Sequence, residues 1–203
     1  MTQRSRRASR ILLWVAMCGL LASCAIGLPA ESRPSDRPIT KLTKAMLVDP
    51  ASLPQLDGGE WAVGKIRSED QPQPTDKYVP AECAPLYGEV QHTQRSSVRF
   101  RGGPSGPYVN LWLYVTPQPP DVKTLLSQCG TVSYRSSGPY PPPKVKPVTV
   151  PEVPPWAVAV DKNENVHVMG SYRGVFLSAD SSDGLTDVAV KVFNEQAAKL
   201  AAA

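Results

Sequence analysis

Val109, Asn110, Leu111, Trp112, Leu113, Tyr114, Val115 and Thr116 alternate without a break between aliphatic and polar or aromatic side chains. Successive side chains of a strand point to opposite faces, so period two over eight residues reads as a β-strand. Val109, Leu111, Leu113 and Val115 must face a core, because a slip of one residue would turn all four to solvent. The other face carries Asn110, Trp112 and Tyr114. A Trp or Tyr with a hydrogen-bonding tip suits two settings: the floor of a wet ligand cleft, or a second layer of packing under a helix. Both remain open at this level, and the three residues are the candidate ligand-cleft set.

Working outward, Val98, Arg99 and Phe100 form an extended segment before the Gly/Pro loop of residues 102–107. That loop lacks the Lys-Ser/Thr of a phosphate-binding loop and reads as a hairpin turn. Upstream, Cys83, Leu86, Tyr87 and Val90 share a helical face, with Pro85 confined to the first turn. Downstream, Val122, Leu125, Leu126 and Cys129 keep helical spacing, and Gly130 follows as a C-cap. Residues 131–135 predict a further strand, and residues 137–155 a proline-rich extended loop. Residues 156–160, 165–169 and 172–177 predict three short strands, with a polar turn at 161–164 and a break at Gly170. The chain ends in an amphipathic helix with Leu185, Val188, Ala189, Val192, Phe193, Gln196 and Leu200 on one face. Ser182 and Asp183 offer its N-cap oxygens. Before all of this, Ile39, Leu42, Ala45 and Met46 predict a short helix, and Asp49 followed by Pro50 predicts one more helical turn.

The first residues are of another kind. Arg4, Arg6, Arg7 and Arg10 precede an apolar run from Ile11 to Leu20, and Leu21, Ala22, Ser23 and Cys24 follow. A basic head and an apolar run of about ten residues form the pattern of an export signal. The last four residues resemble the bacterial lipobox. That resemblance implies lipidation of Cys24 and cleavage before it, with the mature protein anchored to the cell membrane on its outer, extracytoplasmic face. The alternative is an uncleaved anchor, for which the charge-free stretch 11–28 is at the short end. Acyl chains add ~0.8 kcal/mol per buried methylene, and more than one chain is needed for stable anchoring. The expected organisation is therefore a signal peptide over residues 1–23, a Pro/Ser-rich tether over 24–38, and a single globular domain over 39–203.

The chain has 203 residues, 41% hydrophobic and 20% charged, which suits a folded core. Its formal charge of +4 comes from the leader: four of the 22 basic residues lie there, and the rest balance the 18 acidic ones. The mature chain thus lacks the overall basicity of a nucleic-acid binder, and no nucleic-acid partner is expected.

Of four cysteines, Cys18 leaves with the signal and Cys24 takes the lipid. Cys83 and Cys129 remain, in an oxidising compartment, and a disulfide is the economical reading. The alternative is a reactive or metal-binding thiol. Metal is disfavoured because His92 and His167 have no Cys or His neighbour at ligand spacing. No nucleophile elbow, P-loop, zincin helix or dinucleotide fingerprint is present, so neither catalytic residues nor a cofactor or metal are expected.

The layout as a whole resembles a mycobacterial-type lipoprotein. Its motifs are the lipobox, the tether, LVDPASLP (47–54), PAECAPLYGEVQ (80–91), VNLWLYV (109–115) and LLSQCG (125–130). The domain is similar to the extracellular sensor domain of the receptor kinase PknH. The resemblance implies an α/β fold of the α+β kind: an antiparallel sheet packed by a few helices, including the C-terminal amphipathic helix, here with one disulfide. It also implies a cleft for an unknown ligand. Kinase sensor domains of this group tend to carry two disulfides, and here one pair of cysteines is available. The expected function is a non-catalytic ligand-binding or sensor-like module held at the membrane by its lipid. Its partner would be an unknown small molecule, a lipid or an envelope protein. The alternative is a structural or protein-interaction component of the envelope.

Overall fold

The computed structural model describes residues 37–71, 78–129, 133–134, 144–182 and 184–203. The chain divides into two compact units, Met1–Ser32 and Arg33–Ala203, and the described residues all belong to the second. The lipobox with Cys24, most of the tether, Gly130, Asp183 and part of the proline-rich stretch lie outside the described residues.

In chain order the described residues form β1 (Glu60–Val63), β2 (Arg67–Gln71), β3 (Tyr78–Val79), β4 (His92–Arg101) and β5 (Tyr108–Val115). Then come α1 (Val122–Gln128), β6 (Ser133–Tyr134), β7 (Val145–Val148), β8 (Ala157–Lys162), β9 (Asn165–Tyr172), β10 (Val175–Ser181) and α2 (Thr186–Ala201). Eight strands make one antiparallel sheet in the order β1-β4-β5-β10-β9-β8-β7, with β2 also paired to β4; β3 and β6 pair separately.

The alternation of β5 is realised in full. Val109, Leu111, Leu113 and Val115 are buried, while Tyr108, Asn110, Trp112 and Tyr114 are half-buried. Across the register Leu111 meets Val98 on β4 and Ala179 on β10, so the apolar face continues from strand to strand. Each such fully buried aliphatic contributes about 1.5–3 kcal/mol relative to exposure. This face is covered by α2, through Ala189, Val190, Val192, Phe193 and Leu200, and by an N-terminal arm carrying Ile39, Leu42, Leu47, Val48 and Leu53. The opposite face has a smaller cluster in which Phe176, Met169 and Val160 lie under Cys83, Leu86, Val90 and Val122.

Two hairpins at the C-terminal end have two-residue loops. Lys162 pairs with Asn165 and Tyr172 with Val175. The intervening residues all have positive φ: Asn163 52°, Glu164 69°, Arg173 49° and Gly174 84°. That is the type I′ turn, whose twist matches the strands it joins.

Several sequence expectations are corrected. Gly170 does not break a strand; β9 runs through it. A Cβ there would lie 2.9 Å from Ala157 and from the Trp156 ring, so its role is to admit that indole. Trp156 in turn stacks on Phe193 of α2, centroids 5.4 Å apart. Residues 39–46 form no α-helix beyond a 3-10 turn at Lys44–Met46. The arm stays extended because its amides find partners elsewhere: Ile39 N–H donates to Arg173 O, and Leu42 N–H to Gln94 Oε1. Cys83 sits in a 3-10 helix, Ala81–Tyr87, rather than an α-helix, with Pro85 inside it. Two prolines within six residues, Pro80 and Pro85, withhold N–H groups that an α-helix would use. Within the proline-rich stretch, Val145–Val148 is an edge strand, and Pro147 is tolerated there because only one side of the strand is paired. The N-cap of α2 is Leu185, without a side-chain hydrogen bond. Ser182 Oγ instead accepts from Tyr108 N–H at 3.0 Å and fastens the start of β5. Asp49 does cap its turn, accepting from Ala51 N–H.

The disulfide is present: Cys83 and Cys129 are bonded at 1.97 Å across a sequence separation of 46 residues. It joins the 3-10 helix to the end of α1, the two elements that cover the second face. Closing a loop of this length stabilises the fold by ~4 kcal/mol on the chain-entropy model. Cys83→Ser is expected to lower the melting temperature and to leave one thiol that is alkylated in denaturant without reductant. A melting curve unchanged from the parent protein would contradict that role.

Gln196 is fully buried on α2. Its Nε2 donates to Met46 O at 2.7 Å, and its Oε1 accepts from Val48 N–H at 3.2 Å. One amide thus satisfies two backbone groups of the arm. Gln196→Leu strands both and is expected to cost roughly 2–4 kcal/mol in chemical denaturation, since each buried unsatisfied polar group costs about 1–3 kcal/mol.

Candidate functional site

The second face of the sheet is where the candidate residues gather. Here the strand register sets up a row across four strands: Arg99 on β4, Asn110 on β5, Asp180 on β10 and His167 on β9. One step along, Ser97, Trp112, Ser178 and Met169 form the next row, and then Arg95, Tyr114, Phe176 and Ser171.

Asn110, Trp112 and Tyr114 share that face but have different surroundings. Tyr114 packs. Its ring is 4.9 Å from His92 and 6.3 Å from Phe176, and burial pushes its hydroxyl up to about 12. Asn110 is committed to a polar pair, its Nδ2 donating to Asp180 Oδ2 at 3.0 Å. Trp112 borders open space. Its indole forms part of the wall of a cavity of about 270 Å³, together with Gly64, Lys65, Arg67, Arg95, Ser96, Ser97 and Arg99.

The cavity is strongly basic. β1 and β2 share one edge of β4, and the chain between them carries Gly64 and Lys65. The register sets Arg67 directly opposite Arg95. Arg95 pairs with Glu69 through both Nε and Nη2. The Arg99 guanidinium lies over the Trp112 ring, 5.5 Å from its centroid. Ser96 Oγ donates to Gly64 O at 2.9 Å and fixes the crossing chain. Charged and aromatic groups meeting in a concave site are what a ligand-binding cleft needs.

These basic residues were missed in sequence because β4 was read only over Val98, Arg99 and Phe100. Extended to its true length, His92–Arg101, the strand shows Arg95, Arg99 and Arg101 at alternating positions, all on the face of Trp112. The charge balance of the mature chain hid them, because a neutral total says nothing about local clustering.

A larger cavity, about 320 Å³, opens between the 3-10 helix and α1, lined by residues such as Glu82, Pro85, Gln91 and Asp121. Its carboxylate at Asp121 is already used: it caps α1, accepting from the backbone of Lys123 and Thr124 and from Thr124 Oγ1. The basic cleft is the better candidate, because three of its four cations, Lys65, Arg67 and Arg99, have no carboxylate partner among the described residues.

Farther across the same face, toward β9 and β8, lies a second polar group. Lys162 is 7% exposed at the end of β8. Burial lowers its ammonium to about 8, against the pull of Asp180. Burial, and then the charge of Lys162, hold His167 down at about 3. Burial raises Asp180, opposed by the Asn110 hydrogen bond and by Lys162. Among the described residues no three His, Cys, Asp or Glu side chains come together as a metal site. No helix among them is long and apolar enough to cross a membrane.

The extracellular domain of PknH from Mycobacterium tuberculosis is similar to this chain, with a TM-score of 0.49 and 14% sequence identity, over 83% of this chain and 100% of that one. It is the domain to which the sequence layout is similar. An uncharacterised protein from Mycobacterium smegmatis, the Rv0999 ortholog, is similar with a TM-score of 0.41 and 13% identity, over 72% of this chain and 91% of that one. No protein-family model matches the chain, and no curated protein matches it.

The histidine gives a pH prediction. His167 titrates at about 3 in the folded chain and near its ordinary 6.5 when unfolded. Between these values the unfolded chain binds more protons, so this contribution makes stability rise with pH and is complete above 6.5. Asp180, raised on folding, acts in the opposite direction. His167→Gln is thus expected to flatten the rise in denaturation midpoint between pH 4 and 6.5 relative to the parent protein. Parallel profiles would contradict it.

Proposed function

We propose that this protein is a non-catalytic, lipid-anchored domain on the outer face of the cell membrane that binds a ligand in the cleft beside Trp112. The observation that carries the ligand-binding part is the indole wall of a cavity whose other polar groups, Lys65, Arg67, Arg95, Ser97 and Arg99, converge on the same space. The export signal, the lipobox ending at Cys24 and a disulfide suited to an oxidising compartment support the location. Lipidation of Cys24 would tether the domain through residues 24–38, and among the described residues Ile39 is the first that is buried.

Two variants test the two halves separately. Cys24→Ala is expected to abolish fatty-acid labelling and to move the protein out of the detergent phase; acylation that persists in the variant refutes the anchor. Trp112 is only half-buried, so Trp112→Ala should cost about 2 kcal/mol, below the 3–5 kcal/mol of a fully buried Trp. It should also remove any small molecule that native mass spectrometry finds on protein purified from its own envelope. A parent protein that carries no such molecule, and whose Trp112→Ala variant is destabilised as a core aromatic would be, favours the structural or protein-interaction role instead.

A further inference from the structure

We propose that the cleft beside Trp112 takes a phosphate monoester dianion, bound by Arg67, Arg95 and Arg99 and by the Ser97 hydroxyl. The proposal rests on the ligand-binding reading of the same cleft and gives that ligand its chemistry.

Charge is the first ground. Like charges directly opposite on neighbouring strands are destabilising, yet Arg67 and Arg95 face each other in register, with Arg99 further along the same face. Four cations line the cleft, and among the described residues one carboxylate, Glu69, is paired with them, on Arg95. Lys65, Arg67 and Arg99 have no carboxylate partner among the described residues. A monoanion leaves most of this excess uncompensated. A phosphate monoester carries about −1.5 to −2 at neutral pH and three acceptor oxygens, a closer match.

The donors are the second ground. Three of the four cations are arginines, whose planar forks match phosphate with paired N–H donors. Arg99 is held by Trp112, and a guanidinium resting on an aromatic face keeps its in-plane donors for an anion. Ser97 is 3% exposed and borders the cleft, yet its hydroxyl makes no hydrogen bond among the described residues. Gly64 leaves it accessible: a Cβ at that position would come within 2.7 Å of Ser97 Oγ. Ser97 thus brings a hydroxyl to the edge of the cleft, where it can donate to a bound anion.

Size is the third. At about 270 Å³ the cavity is smaller than a site for a drug-sized ligand, so it takes a phosphate and little more, as a soluble phosphate ester or a lipid headgroup presents it.

The test uses the processed, full mature chain in phosphatidylcholine nanodiscs, titrated calorimetrically with inorganic phosphate at ionic strength matched with chloride. Saturable phosphate binding is expected. Arg67→Ala and Arg99→Ala, both at exposed positions that should leave the melting temperature nearly unchanged, should each weaken it by about tenfold or more, as loss of a charge-assisted contact does. Ser97→Ala should weaken it less. Repeating the titration in nanodiscs containing phosphatidic acid separates the sources: competition identifies a lipid headgroup, and its absence a soluble phosphate ester, either being consistent with the site. Phosphate heat no different from that of chloride, or binding that survives in both arginine variants, overturns the proposal. If phosphate fails to bind while Trp112→Ala still loses a co-purified molecule, the phosphate assignment falls and the ligand-binding reading stands.

Discussion

Strand β5 is paired along its length to β4 on one side and to β10 on the other, and its register determines which side chain occupies which face of the whole sheet. Period two leaves no freedom: once Leu111 and Leu113 are inside, Asn110, Trp112 and Tyr114 are on the other face, and so are their partners Arg99, Ser97 and Arg95 on β4. A one-residue slip of β5 would turn Asn110, Trp112 and Tyr114 into the core and its aliphatics out of it. The basic cleft and the apolar core are therefore two consequences of a single pairing.

The two faces are closed by different means. The first is closed mainly by apolar burial under α2 and the arm, with a polar link at the helix. Gln196 reaches from the helix to the backbone at Met46 and Val48, and that pair of hydrogen bonds is why the extended arm has a defined place against the helix. The second face is covered only in part, by short elements that contribute little area of their own. A 3-10 helix of seven residues and an α-helix of seven residues are each below the length that is stable alone. The Cys83–Cys129 bond holds them to each other, and apolar contacts with Val160, Met169 and Phe176 hold the pair on the sheet. What they leave uncovered is the region of Trp112 and the arginines.

Electrostatics divides the second face again. Toward β8 and β9, burial shifts Lys162 and His167 toward their neutral forms and Asp180 toward its own. Toward β1 and β2, the cations Lys65, Arg67 and Arg99 are exposed. Positive potential is thus concentrated at one end of the face, beside the only tryptophan of β5.

Much of the architecture was legible in sequence. Strict alternation marked β5, 3.6-residue spacing marked α2, and two cysteines left after a lipobox marked the disulfide. These are local or countable signals. The lipobox itself is also local, and it alone carries the expectation of a lipid anchor. Other features depended on contacts between distant segments. The arm at Ile39 and Leu42 has a helical spacing, but its amides bond to Arg173 and Gln94, which no local pattern reveals. Gly170 looked like a break and is a point of close approach, because the Trp156 ring is brought over it by pairing of β8 with β9. The site divides in the same way. Sequence alone determined that Asn110, Trp112 and Tyr114 share a face, since alternation is a property of the backbone. Only the tertiary structure decided that Tyr114 is packing, Asn110 a partner of Asp180, and Trp112 the wall of a basic cleft. Those differences are set by what lies across the register on β2, β4 and β10, and strand pairing joins residues far apart in the chain.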